Sequence, residues 1–116
     1  MKQEEKINIA LIEKHPVLLQ TLKLILEKIA NFSITYASQN TLGFSHNNLD
    51  ILIINEQELA NISLPVNQPN YKIICLSTEF KKMTVKNKIV YLNQACELDE
   101  LLNTINSLAI KNVTLQ

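Results

Sequence analysis

The chain predicts an α/β domain built on a parallel sheet, and three observations carry that prediction. Five short runs are rich in Ile, Leu and Val, and each is nearly continuous in apolar residues, as strands covered on both faces require. Two longer stretches, 15–31 and 97–110, repeat their apolar residues at helical spacing instead. The pattern reads β-α-β at the start and β-α at the finish, with three short connections between the strands. Residues 1–116 are read as a single domain, because a chain of this length supports one core.

The first run, "KINIALI" (6–12), is a strand. "HPVLLQTLKLILEKIAN" (15–31) follows as a helix, with Pro16 in the first turn, where its missing N–H costs nothing. Leu18, Leu22, Ile25 and Ile29 fall on one face, with Leu19, Leu26 and Ala30 beside them, so that face is the predicted core contact. Val17 and Leu24 lie off the stripe and are expected to be partly exposed. "FSITYA" (32–37) is the second strand and "LDILIIN" (49–55) the third. "YKIICLS" (71–77) and "KIVYL" (88–92) are the fourth and fifth. The connections at 38–48 and 78–87 have room for helices of two turns at most, since a whole crossover needs about 10–12 residues. "EQELANI" (56–62) allows two turns before Pro65 and Pro69 break the pattern. The last helix begins with Glu97, Asp99 and Glu100, where the helix dipole favours negative charge.

Composition excludes several functions. Lys+Arg and Asp+Glu are 11 each, so there is no electrostatic footprint for nucleic acid or an anionic membrane. No stretch approaches the ~20 apolar residues of a membrane span. The opening "MKQEEK" runs straight into a strand pattern, unlike a signal peptide. The two cysteines, Cys75 and Cys96, match no zinc or redox spacing and read as thiols in a reducing cytoplasm. The one glycine, Gly43, excludes a dinucleotide loop or P-loop, both of which need several. His15 and His46 have no third ligand in view, so no metal or other cofactor is expected. Ser77 has no histidine partner in a neighbouring motif. The lysine-rich "KKMTVKNK" (81–88) reads as a solvated loop.

In "DILIINEQ" (50–57) a buried run ends in a polar cluster, at the edge of the sheet where α/β proteins place their sites. Together with "INIALIEKHPVLLQTLKLILE", "KIICLS" and "VYLNQA", it resembles bacterial response-regulator receiver domains. The likeness is greatest to the subclass that precedes a LuxR/FixJ-type helix-turn-helix domain, and it extends over nearly the whole chain. The resemblance implies a flavodoxin-like, doubly wound five-stranded parallel sheet of order 2-1-3-4-5, here with shortened middle helices. It also implies a site, which this chain departs from. Where the family has two metal-holding acids, there are Glu13 and Lys14. Where it has the phosphoacceptor aspartate, there is Asn55. Ser77 matches the position that contacts the phosphoryl group, and Tyr91 matches the switch aromatic. Gln94 stands in place of the phosphate-pairing lysine, and Ala95 in place of the following proline.

An amide does not attack a phosphoryl donor, and divalent cations prefer carboxylate oxygens. The expectation is therefore a pseudo-receiver, not an enzyme. It acts in signal transduction or transcription regulation through protein contacts, independently of phosphorylation. Glu13 and Glu56 could pair as acids, but with Lys14 adjacent a local ion pair is expected. The interaction face is expected on the first and last helices, at Val17, Leu24 and Ile110, joining two copies or a different protein. Two alternatives stand beside this reading: a sensor holding a small molecule or anion in the vacated cleft, and the regulatory half of a helix-turn-helix transcription factor.

Overall fold

The computed structural model describes residues 6–44, 49–62 and 71–113, with side chains up to 109. His46, Pro65, Pro69 and the side chain of Ile110 lie outside them. The strands are β1 (Asn8–Ile12), β2 (Ser33–Ser38), β3 (Ile51–Asn55), β4 (Lys72–Ser77), β5 (Thr84–Lys86) and β6 (Ile89–Asn93). The helices are α1 (Pro16–Leu24), continued by a π-helical turn (Ile25–Ile29), α2 (Glu56–Leu59) and α3 (Leu98–Val113). The strands form one sheet in the order β2-β1-β3-β4-β6-β5. All neighbours are parallel except β5 and β6.

The sheet therefore has six strands where the sequence predicts five. The added strand falls in the lysine-rich stretch read as a loop. Thr84 and Val85 are β-branched and suit a pleated surface. The two residues between β5 and β6, Asn87 and Lys88, both have positive φ, 52° and 68°. That combination makes the primed turn whose twist matches a hairpin. A tight hairpin uses the residues that a crossover helix would need, so residues 78–83 are bends and irregular chain and no helix forms there. The described residues between β2 and β3 also contain no helix. They turn at Thr41–Phe44, where Gly43 takes a φ of 80° and the Phe44 N–H bonds the Thr41 carbonyl at 3.0 Å.

Alternation along the buried strands divides the core between the two faces of the sheet. Ile9, Leu11, Ile53, Ile74 and Leu92 face α1 and α3, which contribute Leu19, Leu22, Leu101 and Ile105, joined by Leu26 of the π turn. Ala10, Ile12, Leu52, Ile54 and Ile73 face the side lined by Tyr71, Leu49 and the half-buried Phe44 and Leu59. Full burial of each large aliphatic side chain contributes about 1.5–3 kcal/mol.

The first helix departs from its predicted stripe. Leu19, Leu22 and Leu26 are buried, Leu18 and Ile25 are half-buried, and Ile29 is 71 % exposed. The cause is the π turn. The Ala30 N–H reaches back five residues to the Ile25 carbonyl, and the Phe32 N–H six residues to Leu26. Each extra residue in a turn shifts the later side chains around the axis. Asn31, at φ 62°, then ends the helix in the left-handed conformation that asparagine tolerates.

Candidate functional site

The carboxyl ends of β1, β3, β4 and β6 are adjacent at one edge of the sheet. They bring Glu13, Asn55, Ser77 and Gln94 together there, from positions 13 to 94 of the chain. The chain reverses direction across the sheet between β1 and β3, the crevice where α/β folds bind ligands. A cavity of about 120 Å³ opens at this edge, lined by His15, Asn55, Glu56, Gln57, Thr78 and Gln94.

Three of the four side chains have defined partners. Asn55 is buried and caps α2: its Oδ1 accepts the Gln57 N–H at 2.8 Å. Its Nδ2 donates to Glu13 Oε2 at a long 3.5 Å. Glu13 is 1 % exposed, and Oε2 also accepts the His15 N–H at 3.1 Å. Glu13 Oε1 is buried with no partner among the described residues. Ser77 Oγ donates to Glu56 Oε1 at 2.8 Å and accepts the Glu79 N–H at 3.0 Å. The expected ion pair does not form. Lys14 is exposed and donates to the neutral Gln57 Oε1 at 2.7 Å. Among the described residues the ion pair is Lys23–Glu27, along α1. Glu13 is too deeply buried for a flexible surface ammonium to follow it without losing its own water.

Tyr91 is half-buried, and its ring packs against Phe80 with centroids 4.7 Å apart. Burial pushes the Tyr91 phenol up, with Cys75 and the Glu56 carboxylate adding to it. Burial first, then the charge of Glu56, pushes the Cys75 thiol up to about 12. Burial and the neighbouring Glu100 raise Cys96 against a smaller opposing effect of its backbone hydrogen bond. Neither cysteine is in a disulfide. No cluster of three or more potential metal ligands occurs among the described residues.

The Glu56–Ser77 bond, the Gln57–Lys14 bond and the place of His15 at the cavity were not anticipated. A signal for the first two was present: Asn55 followed three residues later by Glu58 is the pattern of a helix start. A helix beginning at Asn55 turns Glu56 and Gln57 back over the end of the sheet.

On the predicted interaction face, Val17 is 79 % and Leu24 58 % exposed. Between α1 and α3 runs a groove of about 200 Å³, lined by Leu18, Leu22, Ile25, Leu98 and Leu101 together with Cys96. The two helices therefore flank one surface. No helix among the described residues is long and apolar enough to cross a membrane.

No protein-family model matches the chain, and no curated protein matches it at a significant level. Solved structures do. A DNA-binding response regulator of the LuxR family from Staphylococcus aureus superposes with a TM-score of 0.62 at 18 % identity, covering 88 % of this chain and 98 % of that one. A response regulator receiver domain protein from Bacillus halodurans C-125 superposes with a TM-score of 0.64 at 16 % identity, covering 90 % and 97 %. At these identities the likeness is one of architecture, and the chain has the fold of a response-regulator receiver domain.

Proposed function

We propose that this chain is a pseudo-receiver, a cytoplasmic regulatory module that acts in signal transduction or transcription regulation by binding protein, without aspartyl phosphorylation. The observation that carries the reading is the state of Asn55. The residue at the phosphoacceptor position is an amide whose two ends are committed, one to capping α2 and one to Glu13. The surroundings agree with this. Glu56 occupies Ser77, which in receivers contacts the phosphoryl group, and a carboxylate there repels a phosphate dianion. Lys14 stands beside the place of the metal, and Gln94 has no charge to offer a phosphate. The partner surface is the face shared by α1 and α3, including Val17, Leu24 and Ile110, with a second copy of the chain as its occupant.

Acetyl phosphate read by intact mass, and beryllofluoride with Mg²⁺ read by thermal melting, test the central claim. Neither is expected to change the protein, and Asn55→Asp alone is expected to stay unmodified, because Lys14, Gln94 and Glu56 remain. An added phosphate or a clear rise in Tm with beryllofluoride overturns the reading.

One observation favours a second reading, a sensor of a small ligand: the polar cavity at the sheet edge remains open. At about 120 Å³ it has room for about four waters, and so only for a small metabolite or anion. A thermal-shift screen with such compounds separates the two. The third reading, the regulatory half of a helix-turn-helix factor, shares the same module and is decided by the sequence of the whole gene.

A further inference from the structure

The cavity at the carboxyl edge of the sheet has a buried floor and an open rim. Asn55 and Leu76 are buried beneath it, Glu56 is half-buried at its side, and the exposed His15, Gln57, Thr78 and Gln94 form the rim. Glu56 is the carboxylate that lines it, and no lysine pairs with Glu56 among the described residues. Ser77 occupies Glu56 Oε1, and Oε2 makes no hydrogen bond among the described residues. The side chains of Thr78 and Gln94 make none there either. A second carboxylate stands in the wall behind. Glu13 Oε2 takes an N–H from each of two lining residues, His15 and Asn55, and Glu13 Oε1 is buried with no partner among the described residues. Lys14 reaches the rim at Gln57 Oε1 but is exposed, so water and salt screen its charge.

We propose that this cavity binds a small primary ammonium compound, its charge set against Glu56. An ammonium group has only donors to offer, and the cavity meets them with acceptors: Glu56 Oε2, the Thr78 hydroxyl and the Gln94 amide oxygen. The bond to the carboxylate is charge-assisted, and so the strongest of these. Buried Glu13 adds a negative potential that solvent screens little. The volume of about 120 Å³ holds a ligand of about four non-hydrogen atoms. The same two carboxylates repel a phosphate, a sulfate or a free carboxylate. A divalent cation is a poorer match. It asks for about six oxygen ligands, and no three potential ligands cluster among the described residues. Lys14 at the rim also opposes a double charge twice as strongly as a single one. The proposal rests on the ligand-sensor reading given above, and it adds the charge and class of the ligand.

The probes are methylammonium and ethanolammonium chloride at millimolar concentration, titrated into the isotope-labelled 116-residue protein and followed by backbone amide chemical shifts. Sodium chloride at matched ionic strength is the blank. Tetramethylammonium, a cation with no N–H to donate, is the control. Both amines are expected to give saturable shifts centred on Glu13, Asn55, Glu56, Thr78 and Gln94, and the controls none. Glu56→Gln, at a half-buried position, is expected to weaken binding more than about tenfold. Lys14→Gln removes the opposing charge at the rim and is expected to strengthen it. Glu58→Gln, the same change of charge on the same short helix but outside the cavity lining, is expected to bind as wild type does. Three results overturn the proposal: no saturable shift with either amine, an equal response to tetramethylammonium, or binding that survives Glu56→Gln in a folded protein. Acetate, phosphate or Mg²⁺ shifting these residues where the amines do not also sinks it. That outcome leaves the sensor reading standing, which fails only when a wider metabolite screen finds no ligand at all.

Discussion

Among single residues, Asn55 and Cys75 show how neighbouring strands of the sheet tie up polar groups in structure. Asn55 spends its amide on structure, and Glu56 spends its carboxylate on Ser77. The cost appears next door, where Glu13 keeps one buried oxygen with no partner among the described residues, a loss of about 1–3 kcal/mol. Cys75 lies fully buried in β4, its thiol pushed up to about 12 by burial and by Glu56. The native state thus holds this proton after the unfolded chain, with an ordinary thiol near 9, has released it. Above that pH the unfolded state binds fewer protons, so stability falls as pH rises, by about 1.4 kcal/mol per unit, until the folded value near 12 is reached. Below the unfolded value the contribution is fully present. Denaturant unfolding between about pH 9 and 11 is expected to show a steeper decline for wild type than for Cys75→Ala. Equal slopes in the two proteins contradict the buried thiol.

Two elements depart from regular geometry, and each departure exposes apolar surface. The π turn at the end of the first helix moves Ile29 out of the core, although its spacing from Leu22 and Ile25 suggests otherwise. The β5–β6 hairpin replaces a crossover helix and leaves Val85 in water. That hairpin is strained at Lys88, whose φ of 68° is left-handed without the excuse of glycine or asparagine. The left-handed conformation costs an ordinary L-residue about 1–2 kcal/mol. Lys88→Gly is therefore expected to stabilise the protein by about 1 kcal/mol, allowing for glycine's greater freedom in the unfolded chain. Thermal melting reads this as a rise of a few degrees. A lower Tm in the variant rules out the turn described here.

At the scale of the whole molecule, net charge is zero, which removes a general barrier to self-association. The α1/α3 face combines exposed Val17, Leu24 and Ile29 with an adjoining groove. A two-fold axis would set this apolar patch against its own copy, the self-complementarity a symmetric dimer needs. Sedimentation velocity at two concentrations is expected to give a dimer for wild type and a monomer for Leu24→Glu. A dimer that persists in Leu24→Glu moves the contact elsewhere, and a wild type that is monomeric throughout removes it.

What the sequence determined by itself is what depends on local pattern. The apolar runs located β1, β3 and β4, because a strand buried on both faces needs its residues apolar one after another, while β-branched and aromatic residues located β2 and β6. Helical spacing located α1 and α3 in the same way. The resemblance to receiver domains named Glu13, Lys14, Asn55, Ser77 and Gln94 as one pocket, and the fold brings the strand ends that carry them to one edge. Tertiary structure alone decided the partners. Whether Lys14 reaches Glu13 or Gln57, and whether Glu56 turns onto Ser77, depends on distances between segments far apart in the chain. The hairpin was decided there too. Val85 among four lysines has no clear local preference until β6 offers it an edge to pair with, and Lys88 accepts its strained turn because that pairing holds it there.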